Sequence, residues 1–173
     1  MDTSKTVWKI DASHSEINFK VKHMMISTVT GRFEKFNGQV ETADQDFKNG
    51  NFTFSAEIDS INTNNKDRDQ HLKSDEFFGA AAHPELSFKS KSFDGEKMVG
   101  DLTIKGVTKE ISLDAEFNGT AVDPYGQTKA GFEFEGQISR KDFGLTWNAV
   151  TEAGSVVVGD KVKMIVSLQF IKQ

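Results

Sequence analysis

Cysteine is absent from this chain of 173 residues, proline occurs twice and tyrosine once. Without cysteine there is no thiolate catalysis, no disulfide and no cysteine-ligated metal. No run approaches the roughly 18 apolar residues that a membrane-spanning helix needs. An excess of positive charge is missing too. The formal charge is −5 and the pI is near 5.4, which argues against a nucleic-acid partner, since such a protein favours a basic stripe. No Gly-x-Ser-x-Gly elbow, phosphate-cradling glycine loop or His-Glu-x-x-His motif occurs. The first residues, from Met1 to Asp11, show no charged segment followed by an apolar one, so no signal peptide is read there.

What is abundant is phenylalanine, 15 residues of it, mostly on alternating positions. Period-two placement makes half-buried strands, and Phe brings no polar atom that must be satisfied once buried. Ile17, Phe19 and Val21 alternate with Asn18, Lys20 and Lys22; Val29, Phe33, Phe36 and Val40 continue less cleanly. Phe52, Phe54, Ala56 and Ile58 follow, then Leu86 and Phe88, then Met98, Gly100, Leu102 and Ile104. Ile111, Leu113, Ala115 and Phe117 come next, then Ala130, Phe132, Phe134, Gly136 and Ile138. The last series is Val162, Met164, Val166, Leu168 and Phe170. These make about eight strands, each with one apolar face.

Turn residues separate them: Lys48-Asn49-Gly50, Asp94-Gly95, Asp123-Pro124-Tyr125-Gly126 and Val158-Gly159-Asp160. Short links of this kind favour antiparallel, up-and-down order. The one departure lies around residues 64–78. Asn64 or Asn65 can cap a helix through Lys73 with Leu72 inward, and Ser74 reads as a second cap before Phe77 and Phe78. One or two short helices are expected there, in a single domain spanning residues 1–173. Closing the sheet would remove its edges, and an eight-stranded barrel has room for side chains or one small ligand. Two sheets in a sandwich would use the same pattern.

Polar candidates are few. Asp44-x-Asp46 lacks the later ligands of a calcium loop and reads as a turn. His14, His23, His71 and His83 are scattered singly, which suits hydrogen bonding at strand ends and on the helix better than a metal site. Asp11 with His14-Ser15 reads as a capping turn before the first long strand. Arg68 and Asp69 beside His71 form a charged helix face of solvated ion pairs or, on the functional reading, a lid. Arg32 and Arg140 each adjoin an aromatic-rich strand. Either is suited to an anionic head group at a cavity rim, or to a rim salt bridge with Asp142 or Asp11.

Several blocks together resemble the YceI-like, polyisoprenoid-binding family. They are Trp8-Lys9-Ile10-Asp11 with His14-Ser15, Phe19 to Met24, Gly31-Arg32-Phe33, Arg68-Asp69-Gln70-His71-Leu72 with Phe77-Phe78, and Pro84. The second half adds Gly100 to Lys109, Ser139 to Leu145, and Val158-Gly159-Asp160. The resemblance implies an all-β, extended eight-stranded antiparallel up-and-down barrel of lipocalin-like form, with no catalytic residue, no metal and no cofactor. Its cargo would be a long isoprenoid or other amphipathic lipid, such as an isoprenoid quinone, a polyprenyl phosphate or a fatty amide. It implies a periplasmic location, or a cytoplasmic one if the visible N-terminus is native, and a homodimer as a possible partner arrangement.

On this reading the bore is lined by Phe19, Val21, Phe33, Phe54, Ile58, Leu102, Ile104, Phe134 and Trp147, with His23, Arg32 and Arg140 at its polar end. Small residues on the inward register, Ala56, Gly100, Ala115 and Gly136, would leave room beside the rings. Two other classes stay open: an enzyme using His23 or His71 as acid or base on an isoprenoid or quinone, and an interaction barrel with a filled core.

Overall fold

Alternation of apolar and polar residues over long stretches leaves each strand one face to bury, and the chain buries all of these faces against one another. The structure, a computed structural model, describes residues 5–24, 26–43, 46–145 and 158–173. Its strands are β1 (Thr6–Ile10), β2 (Glu16–His23), β3 (Ser27–Phe33), β4 (Phe36–Thr42), β5 (Asn51–Glu57) and β6 (Ile61–Asn62). One helix follows, α1 (Lys66–Lys73), and then β7 (Glu85–Phe93), β8 (Lys97–Ile104), β9 (Val107–Val122), β10 (Thr128–Ser139) and β11 (Val158–Lys172).

All pairings are antiparallel, in the order β1-β4-β5-β7-β8-β9-β10-β11-β2-β3-β6, and β11 also pairs with β1. That last pairing closes the sheet. β1 and β2 lie along one strand path beside β11, with Ile10 opposite Phe170 and Ile17 opposite Val166. β3 with β4 and β5 with β6 are likewise single paths with a break. The 11 segments therefore make a closed eight-stranded antiparallel barrel, with one short α-helix among the described residues. A sandwich is excluded.

Each break has a local cause. Asp11 ends β1 by accepting from the Ser13 backbone N–H at 3.2 Å and the Ser13 hydroxyl at 2.7 Å, capping a single 3-10 turn over Ala12–His14. This is the capping turn expected at Asp11, and His14 joins it at 2.8 Å. A second 3-10 turn, Ile58–Ser60, interrupts the next path. Helix α1 starts at Asn65, whose side chain accepts from the Arg68 N–H. Ser74 caps its C-terminus and is not a second N-cap: the Ser74 N–H and hydroxyl both donate back to the His71 carbonyl, so one helix forms where two were allowed.

Arg68 and Asp69 are not a solvated face. Arg68 donates to the Thr63 hydroxyl and carbonyl, and Asp69 accepts from the Thr63 N–H and hydroxyl, binding the end of β6 to α1. The expected turn at Val158-Gly159-Asp160 is instead the start of β11, where a bulge against β2 takes up the irregular residues.

One end of the barrel is packed solid. Phe47, on the loop between β4 and β5, is 1% exposed and folds into the opening. Its ring lies 5.0 Å from Trp8, 5.2 Å from Phe117 and 5.1 Å from Phe132. Phe52, Phe93 and Phe170 extend the cluster, mostly through edge-to-face contacts, the geometry that aromatic quadrupoles prefer. The other end carries the β2–β3 hairpin, α1 and the segment after it, the turn between β8 and β9, and a 3-10 turn over Arg140–Phe143.

Candidate functional site

Above the aromatic plug the inward faces enclose a cavity of about 190 Å³. A single water needs only ~10–15 Å³, so the space is many times that of one water. Almost every wall residue is a hydrocarbon or aromatic side chain from β1–β3, β5, β7–β11 and the α1 segment. The lining holds one ionisable group among the described residues, Arg140, with Asn18 and Thr53 as its other polar members.

Most of the residues named from sequence reach this wall. Phe19, Val21, Phe33, Phe54, Leu102, Ile104 and Phe134 line it, and so does Arg140. Ile58 does not. It sits in the 3-10 turn at 1% exposure and belongs to the packed core. His23 ends β2 opposite Ser27 and Val158, half-buried at the rim and off the cavity wall. Arg32 points outward, because the neighbours Gly31 and Phe33 take the inward positions, and it pairs with Glu34 at 3.6 Å. Trp147 lies outside the described residues.

The sequence reading missed part of the wall. Met164, Val166 and Leu168 line it from β11, and Phe88 and Leu113 from β7 and β9. Their alternation carried the signal. Leu72, Phe77 and Phe78 close the cavity from α1 and the segment after it. Phe78 meets Phe33 at 6.2 Å, and Lys105 at the β8–β9 turn donates to the Asp75 carbonyl at 2.7 Å, holding this cap to the barrel.

The inward glycines do a different job from the one expected. They leave no gaps. A Cβ added to Gly31 would lie 2.3 Å from Phe19 Cζ, one on Gly100 2.5 Å from Phe88 Cζ, and one on Gly136 2.3 Å from Leu113 Cδ2. Each glycine lets a cross-strand side chain lie back against the wall, where a Cβ would stand it up into the bore.

Arg140 is 3% exposed. Its Nε donates to the Gly159 carbonyl at 2.9 Å, and its terminal nitrogens to the carbonyls of Leu145 at 2.6 Å and Val158 at 3.2 Å. Burial lowers the guanidinium pKa from its ordinary value, and the Asp160 carboxylate nearby opposes that. Asp160 is held by the Ser139 hydroxyl, whose bond is the largest cause of its lowered pKa. The expected salt bridge to Asp142 or Asp11 is thus replaced by backbone carbonyls.

The histidines remain apart from the cavity wall. His14 binds Asp11, and His71 on α1 pairs with Glu76 and meets the Phe77 ring edge-on. Among the described residues no group of three His, Asp or Glu side chains could hold a metal ion. No described helix is long and apolar enough to cross a membrane.

A profile of the YceI-like domain matches residues 8–170. A UPF0312 protein of Staphylococcus epidermidis is 40% identical over 166 residues, which cover 95% of this chain and 97% of that protein. The YCEI protein of Campylobacter jejuni superposes with a TM-score of 0.72 at 34% identity, over 88% of this chain and 90% of its own. A polyisoprenoid binding domain from Saccharophagus degradans, implicated in plant cell wall breakdown, superposes at 0.70 with 17% identity, over 96% and 98%. Barrel topology, matched length and sequence identity agree, and the chain belongs to the YceI-like family.

Proposed function

We propose that this protein is a non-catalytic carrier that holds the apolar chain of an amphipathic lipid inside the barrel. The cargo class is a long isoprenoid or a comparable lipid: an isoprenoid quinone, a polyprenyl phosphate or a fatty amide. The carrying observation is an apolar cavity whose one ionisable lining group among the described residues, Arg140, lies at the end away from the aromatic plug. Moving one CH₂ from water into such a wall gains about 0.8 kcal/mol, so a long tail is held with few polar contacts. Arg140 supplies a fixed positive charge beside the lipid's polar end.

Catalysis is disfavoured by the same lining. A guanidinium stays protonated near neutral pH and makes a poor general acid or base, and neither His23 nor His71 lines the cavity. The polyisoprenoid-binding description of the Saccharophagus degradans domain supports the ligand class. A periplasmic station and a homodimer belong to the same reading.

The test is organic extraction of the purified protein followed by mass spectrometry, with uptake of isoprenoid quinone and fatty amide measured on stripped protein. The expected result is one retained lipid class at near-stoichiometric amount, recovered in repeated preparations. Recovery of no lipid together with no uptake would reject the carrier.

A further inference from the structure

Two features of the mouth end take no part in the cavity. One is the tip of the β2–β3 hairpin, where Met24 is 37% and Ile26 82% exposed. β3 pairs with β6 only through Arg32 and Phe33, so the hairpin runs beyond that pairing with β2 as its strand partner. An aliphatic side chain held out at such a tip buries nothing within the fold.

The other feature lies just below, on the outer faces of β2 and β11. Lys20 stands directly opposite Lys163. Lys22 and Lys161 continue the two outer faces toward the tip, and all four are exposed. Like charges directly opposite on a sheet repel, and here they gather in a chain of net charge −5. Of the neighbouring acids, Asp160 forms a long ion pair with Lys161 at 4.0 Å and is also bound by Ser139, while Glu34 pairs with Arg32 and Glu16 accepts from Asn18 at 3.4 Å.

We infer that this end of the barrel docks on an anionic lipid bilayer. Met24 and Ile26 enter the headgroup region, and Lys20, Lys22, Lys161 and Lys163 meet the lipid phosphates. Shallow insertion of apolar side chains beside a basic face is how peripheral proteins bind such surfaces, and attraction by anionic headgroups falls off within a Debye length. Docked this way, the mouth of the cavity faces the membrane, a consequence that rests on the carrier reading.

The opposite end makes a control. Val122 and Tyr125 are exposed there at 67% and 87%, but Asp123 caps their turn and Lys129 is neutralised by Asp11 and Asp123.

Flotation of the whole protein with phosphatidylcholine vesicles, with and without phosphatidylglycerol, tests the inference. The wild type is expected to float with the anionic vesicles alone, and less as salt rises. Ile26→Asp, and separately Lys20→Glu with Lys163→Glu, should each cut the bound fraction roughly tenfold or more, while Tyr125→Ser binds as the wild type. No binding of the wild type to anionic vesicles, unchanged binding of both tip and lysine variants, or loss of binding in Tyr125→Ser would each overturn it. Lipid retained by the same variants is measured by mass spectrometry. Variants that keep their lipid but no longer float isolate docking from carriage, and protein that floats but carries no lipid leaves docking standing without the carrier.

Discussion

At the scale of single residues, what decides the width of the bore is where hydrogen replaces a methyl group. Gly31 has no left-handed φ, so its role is steric. Gly31→Ala must move the Phe19 ring off the wall and into the cavity. Overpacking of this kind costs about 1–3 kcal/mol, partly offset by the ~0.5–1 kcal/mol a strand gains when Ala replaces Gly. The main effect should be on capacity. Uptake of a fluorescent apolar probe should fall in Gly31→Ala and recover when Phe19→Leu is added, whereas equal uptake in all three proteins would show that the ring does not set the bore. Alternation had marked Phe19 and Gly100 as inward. That each glycine is matched to one particular ring is a fact of cross-strand register, which one strand read alone does not contain.

Among elements, the junction of β1 and β2 is fastened to β10 by charge. Asp11 accepts from Lys129 at 2.9 Å, and Lys129 also lies 3.4 Å from Asp123. The Lys129 bond, helped by Ser13 and His14 and opposed by burial, holds the Asp11 carboxyl well below the ordinary carboxylate range. The Asp11 bond raises the Lys129 pKa. A depressed carboxylate stabilises the fold above its unfolded pKa of 3.8 and loses that contribution as pH falls through the folded value. The raised lysine contributes fully below its unfolded value of 10.5 and less as pH rises past it. Asp11→Asn should therefore be less stable than the wild type at neutral pH, with the gap closing on acidification below about pH 4. Urea unfolding midpoints at a series of pH values measure this, and a gap that stays constant into strong acid would remove the pair from the account. The capping turn at Asp11 was legible because an Asx cap is local. Its lysine partner was not, since Lys129 is 118 positions away in the chain.

For the whole molecule, the phenylalanines divide between two tasks that composition does not separate. Those around Phe47 fill one end without gaps, while Phe19, Phe54 and Phe88 face the space that remains. Phe47→Ala should cost about 3–5 kcal/mol, since it opens a new hole among packed rings. Phe88→Ala, at a half-buried ring already bordering a cavity, should cost clearly less. Denaturation midpoints of the two variants give the order, and an equal or reversed order would argue against a plug at that end.

The sequence by itself determined the number of strands, their antiparallel order and which face of each is apolar. Period-two alternation and turn chemistry are local properties, and the family blocks run in order along the chain. Periodicity left barrel and sandwich open, and the family resemblance implied the barrel. Tertiary structure showed the closure, and it alone decided that β11 bridges both β1 and β2 and that Arg32 turns outward while Arg140 is buried against carbonyls. It also decided that Phe47 seals one end and so leaves a cup with one mouth. Closure and depth are set by contacts between residues far apart in the chain, and no periodicity within one strand encodes them.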